Sequence, residues 1–225
     1  MDIASFVSTI AIYALPVIFA ITLHEAAHGY VAKYFGDTTA YVLGRVSLNP
    51  ARHIDLLGTI LVPLAILVLT SFGGRGMLFG WAKPVPVNYH ALRNPKRHML
   101  WVAAAGPAAN LAMALSWALV GKLAFVLPEN YSTEYLLKVG GAGVEVNLVL
   151  MLLNLIPLLP LDGGRILASL LPARLAASYA RLEPWGFPIL LALMFTNVLG
   201  IVLSPMVRGS MQLIASALQL PLGML

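Results

Sequence analysis

Residues 3–21, IASFVSTIAIYALPVIFAI, contain no charged side chain, and they lead directly into 22-TLHEAAHGY-30, with two histidines and a glutamate. An uncharged run of about 20 residues is the length that crosses a bilayer core as a helix. Ionisable groups at membrane depth are expensive and are kept for a function. The chain must therefore fold so that a membrane helix presents His24, Glu25 and His28 to a polar site.

Composition agrees with a membrane fold. The 225 residues are 60% hydrophobic and 10% charged, with mean hydropathy +0.86. A soluble domain averages about 25% charged residues, so a soluble fold is excluded. The length suits one bundle of four to six helices at roughly 20 residues per crossing, with no separate soluble domain. The net charge of +5 reads as loop bias. No basic and aromatic residues interleave, so no nucleic-acid partner is expected. The absence of Cys excludes disulfides and thiolate metal ligands. Asp2, the lack of a basic leader and the lack of a small-residue cleavage site argue against a signal peptide.

Five apolar segments are expected, at 4–31, 56–72, 99–127, 141–160 and 186–206, and the stretch 207–225 reads as an interfacial helix. Lys33, Arg45 and Arg52 follow the first segment. Arg75, Lys83, Arg93, Lys96 and Arg97 precede the third, and Arg165, Arg174 and Arg181 follow the fourth. The positive-inside rule puts these groups in the cytoplasm and the N-terminus outside. Both flanks of 56–72 are then cytoplasmic, so this segment must dip in and return. Such an element requires a cavity or a protein lining.

His24 and His28 are four apart, which puts both imidazoles on one helix face, where they can share a metal. Glu25 lies between them and can take a proton from a water that the metal activates. A catalytic zinc usually has three protein ligands and an open position. The candidate for the third is Asp162 in 154-NLIPLLPLDGGRI-166, after Pro157 and Pro160 and before Gly163 and Gly164. Aspartate is also a favoured helix N-cap, and both readings of Asp162 stand on the residues alone.

HEAAH together with NLIPLLPLDGGR resembles the site-2 protease family of intramembrane zinc metalloproteases. The stretches 43-LGRVSLNPARHIDLLGT-59, 80-GWAKPVPVN-88 and 105-AGPAAN-110 resemble its short bacterial members without a PDZ domain. The resemblance covers about residues 20–170. It implies one zinc per chain on His24, His28 and Asp162, with Glu25 as base. It also implies that Asn154 holds the substrate or the developing oxyanion. The substrate would be a locally unwound membrane helix of another protein, cut near the cytoplasmic face of the plasma membrane.

Other residues carry two readings each. His53 and Asp55 resemble an HxD feature and are either a supporting or gate pair, or a loop and cap before 56–72. Asn147 either lines the cavity or makes an interhelical hydrogen bond. Ala105, Gly106, Ala108 and Ala109 read as close-packing surface rather than ligand contact. In 83-KPVPVN-88 the prolines leave one edge without donors, so this β-like loop either pairs Val85 and Val87 with substrate backbone or is a rigid shape element. Two other functions fit the same His/His/Asp set, namely metal transport or sensing, and partner binding by an inactive relative.

Overall fold

The computed structural model describes residues 3–62, 65 and 83–220, and among these the chain is helical, with no strand. The helices are α1 (Ile3–Tyr34), α2 (Thr39–Val42), α3 (Pro95–Val126), α4 (Tyr131–Asn154), α5 (Asp162–Leu170), α6 (Ala173–Ala180), α7 (Glu183–Phe195) and α8 (Val198–Leu218). Four of them, α1, α3, α4 and α8, are long and apolar enough to cross a membrane. This is the expected all-α multi-pass bundle.

Local chemistry sets the helix ends. At the end of α1, Gly36 has φ 109, a conformation open to glycine and costly for other residues. The Gly36 N–H donates to Lys33 O at 3.1 Å and the Asp37 N–H to Ala32 O at 3.0 Å, the paired bonds of a Schellman stop. Pro95 occupies the first turn of α3, where a missing N–H costs nothing. Asn130 caps α4 reciprocally with Thr133.

α3 and α4 pack through glycine. A Cβ on Gly140 would lie 3.0 Å from the Gly121 backbone, and one on Gly143 would overlap the Trp117 ring. The close approach lets Ala114, Trp117, Ala118, Val144, Leu148 and Leu152 form one core with Leu199, Leu203 and Val207 of α8. Contacts set the helix directions. His24 meets Asn110 and His28 meets Val102, so α1 and α3 are antiparallel. Asn110 meets Asn147, while Trp117 meets Gly143, so α3 and α4 are antiparallel too. α1 and α4 therefore run the same way.

The end of α1 is clamped to the start of α3. The Arg93 N–H donates to Phe35 O at 3.0 Å, its guanidinium donates to Tyr34 O at 2.6 Å, and Phe35 stacks on His98 at 4.1 Å. The Lys83 N–H donates to His53 O at 2.9 Å, which brings residues on either side of the 56–72 segment together. The expected re-entrant element itself falls mostly outside the described residues. Its described start is a π-helical turn, Leu56–Leu61. Residues 83–88 have neither helix nor strand pairing.

Two boundaries differ from expectation. The segment expected at 141–160 is the helix Tyr131–Asn154, which starts earlier and stops before Pro157. The apolar run 186–206 is not a single helix. It breaks at Asn197, which is left-handed at φ 59, after the Thr196 hydroxyl turns back to Ala192 O at 2.7 Å. Asparagine tolerates this conformation better than most residues. The stretch from 207 to 218 is the second half of α8, with Leu199, Leu203, Val207 and Ile214 all in the core.

Candidate metal centre

α1 turns His24 and His28 toward α3, with their Nε2 atoms 3.1 Å apart. Asp162, in the first turn of α5, brings its Oδ2 to 3.2 Å from His24 Nε2 and 3.4 Å from His28 Nε2. All three side chains are buried. Asp162 is not the N-cap; that position is Leu161.

The second nitrogen of each imidazole is committed. His28 Nδ1 lies 2.7 Å from Val102 O, and a carbonyl only accepts, so Nδ1 carries the proton. His24 Nδ1 lies 2.6 Å from Asn110 Oδ1. A chain of contacts fixes that asparagine. Asn147 Nδ2 donates to Gly143 O at 2.8 Å, so Asn147 Oδ1 faces Asn110 Nδ2 at 3.0 Å. Asn110 Oδ1 is then the atom left for His24, and His24 Nδ1 is also the donor. Both Nε2 atoms present lone pairs, as metal-ligating histidines do.

Two lone pairs and a carboxylate oxygen thus converge with no proton between them. Asp162 Oδ2 is buried without a hydrogen-bond partner, and an unpaired buried charge is unfavourable unless a cation meets it. Donors on a tetrahedral zinc stand about 3.3 Å apart, from bond lengths of about 2.0–2.1 Å. The separations here are 3.1, 3.2 and 3.4 Å. His24, His28 and Asp162 fit one metal ion.

Glycines shape the site. A Cβ on Gly106 would press into both imidazoles, so this glycine, expected to be close-packing surface rather than ligand contact, packs directly against the metal-ligand residues. Cβ atoms on Gly163 and Gly164 would overlap the backbone of residues 155–159, so the glycines let α5 carry Asp162 in against that turn. The Tyr179 hydroxyl donates to Pro157 O at 3.0 Å on the same turn, and burial raises its pKa.

The other expected residues are dispersed around this centre. Glu25 is half-buried, and its Oε2 accepts the Val85 N–H at 2.7 Å. No hydrogen bond of the Val87 amide is found among the described residues. Asn154 Nδ2 donates to Leu150 O in its own helix at 3.0 Å. His53 is fully buried; its Nε2 donates to Ser47 O at 2.7 Å, and it does not join the metal-ligand group. Asp55 Oδ1 accepts the Gly58 N–H at 2.7 Å as a cap. Asn147 makes the interhelical bond. Sequence reasoning assigned no role to Asn110 or Asp37. The four-residue spacing of Gly106 and Asn110 was the available signal for a common helix face.

The chain is 38% identical over 218 residues to "Putative zinc metalloprotease YwhC" of Bacillus subtilis (strain 168), covering 92% of each chain. It belongs to the site-2 protease family. "Putative zinc metalloprotease Rip2" of Mycolicibacterium smegmatis is 29% identical over 185 residues, 80% of this chain and 65% of that protein. Rip2 of Mycobacterium tuberculosis (strain H37Rv) is 27% identical over 184 residues, with the same coverage. No family model and no solved structure matches the chain. Family membership and the donor geometry agree on a zinc metalloprotease of the multi-pass membrane class.

Proposed function

We propose that the protein is an intramembrane zinc endopeptidase that cuts a membrane-embedded segment of another protein near the cytoplasmic face of the plasma membrane. One observation carries the reading: the donors of His24, His28 and Asp162 converge within 4.8 Å of one another, buried among apolar helices, with Glu25 one residue from His24. Bound zinc supplies a Lewis acid that makes water a nucleophile at neutral pH.

This chain's residues do the rest. Glu25 takes the proton from the attacking water and returns it to the leaving amine. Asn154 holds the substrate carbonyl at the end of α4. The Lys83–Asn88 strap receives the unwound substrate backbone along its donor edge. Among the described residues Val87 is the open donor of that edge, whereas pairing through Val85 requires Glu25 to release its N–H. The N-terminus lies outside, an orientation supported by the placement of loop charge.

The test is cleavage of a membrane-embedded reporter substrate by protein in lipid vesicles. Glu25→Gln should retain one zinc per chain and abolish cleavage. Zinc flux into the vesicles without cleavage would favour a transporter. Val87→Pro removes a donor and should slow turnover sharply with zinc retained, whereas Val87→Ala keeps it and should be mild. Equal effects of the two Val87 changes would eliminate backbone pairing.

A further inference from the structure

Two acidic side chains are buried among the described residues. Asp162 serves the metal centre. Asp37 is wholly inaccessible, and no cation pairs with it among the described residues. Main-chain donors meet its charge instead. Oδ1 accepts the Thr39 N–H at 2.9 Å, a local turn bond of a kind common for aspartate. Oδ2 accepts the Asn88 N–H at 2.6 Å, across 51 residues of chain. This second bond has no part in the local turn.

Asn88 is the last residue of the strap. Pro84 and Pro86 have no N–H to anchor it, so the strap hangs from few points. The Lys83 N–H holds His53 O, and Arg45 reaches Lys83 O at 2.7 Å and Pro84 O at 3.3 Å. The Asn88 N–H holds Asp37. Between these anchors the Val85 N–H meets Glu25 Oε2 at 2.7 Å. The Val85 side chain is buried beside Gly29, where an added Cβ would lie 3.3 Å from Val85 Cγ1.

We infer that Asp37 is a positioning residue for Glu25: by holding the Asn88 N–H it fixes the strap, and the strap keeps the Val85 N–H against the Glu25 carboxylate. The inference rests on the proposed role of Glu25 as base. Asp37 touches neither substrate nor metal ligands. Its effect on Glu25 passes through one main-chain donor, so removing that donor makes Asp37 irrelevant to kcat at saturating substrate, while any loosening of substrate pairing along the strap appears in KM.

A double-mutant cycle on the full chain in lipid vesicles tests this, with cleavage of the membrane-embedded reporter and zinc content as readouts. Asp37→Ala and Val85→Pro should each lower kcat about tenfold or more, the scale expected for a misplaced catalytic group, with one zinc per chain retained. Asp37→Asn keeps one acceptor oxygen and should recover part of the loss. The double variant should be no slower than Val85→Pro alone, because coupled positions are not additive. Losses that multiply, full activity of Asp37→Ala, or loss of zinc from Asp37→Ala with no recovery in Asp37→Asn would each overturn the inference. Glu25→Gln separates the two readings. If it still cleaves, the role of Glu25 fails; if it is inactive while Asp37→Ala is fully active, only the positioning role fails.

Discussion

Replacing Gly106 by alanine adds one methyl group, and its consequence can be worked from the site. The new Cβ would stand 2.5 Å from His24 Cε1 and 2.6 Å from His28 Cε1, where ordinary contact begins at 3.4 Å. Relief requires the rings to move by about 0.8–0.9 Å at these carbons and by more at His28 Nε2, the nearest atom, against a tolerance of about 0.2 Å in metal–ligand distances. The rings cannot swing away freely, because Asn110 and Val102 hold their Nδ1 atoms. Loss of supporting contacts alone costs about 10–100-fold in metal affinity, and here the ligands themselves move. Gly106→Ala should therefore weaken zinc binding about a hundredfold or more, about 2.8 kcal/mol at about 1.4 kcal/mol per tenfold. Alanine is the better helix former by about 1 kcal/mol, so helix content should not fall. Zinc affinity by chelator competition, with circular dichroism alongside, is the assay. Gly209→Ala, where an added Cβ meets nothing within 4 Å, is the control. Unchanged zinc affinity in Gly106→Ala would refute the reasoning.

Two further expectations follow from the same structure. Asn110→Ala removes the acceptor that sets the His24 tautomer and should weaken zinc binding by about 10–100-fold; an unchanged affinity by chelator competition would show that the tautomer has another source. In this cysteine-free chain, Ser47→Cys and Asn94→Cys should both react with a membrane-impermeant reagent from the cytoplasmic side, and Ser132→Cys from the other; labelling of 47 and 94 from opposite faces would sink the assigned orientation.

How much could be read from the sequence depended on the range of the interaction. HEAAH is a local motif whose i, i+4 spacing has one meaning on a helix. Long apolar runs likewise announced α1, α3 and α4. Asp162 could be offered as a third ligand on residue type, but only the family resemblance set that reading above a helix cap, because its proximity to the histidines is tertiary. Asn110 was invisible for the same reason: its role is defined by a ring on another helix, 86 residues away in sequence. The bond from Val85 to Glu25 spans 60 residues, and proline spacing could announce a strap without showing what it faces. The break at Asn197 was masked because hydropathy is continuous across it, while the turn depends on one asparagine's tolerance of a left-handed backbone.

The parallel course of α1 and α4 has a consequence for biosynthesis. A chain emerging from the ribosome delivers His24 and His28 to the bilayer first, with α3 following to fix their rings. Asp162 arrives only after α4 has turned back alongside α1. Until then the growing chain offers two imidazoles, short of the three protein ligands typical of a catalytic zinc site. The donor set of two imidazoles and a carboxylate is therefore complete only once Asp162 has been made and brought back against the α1 histidines.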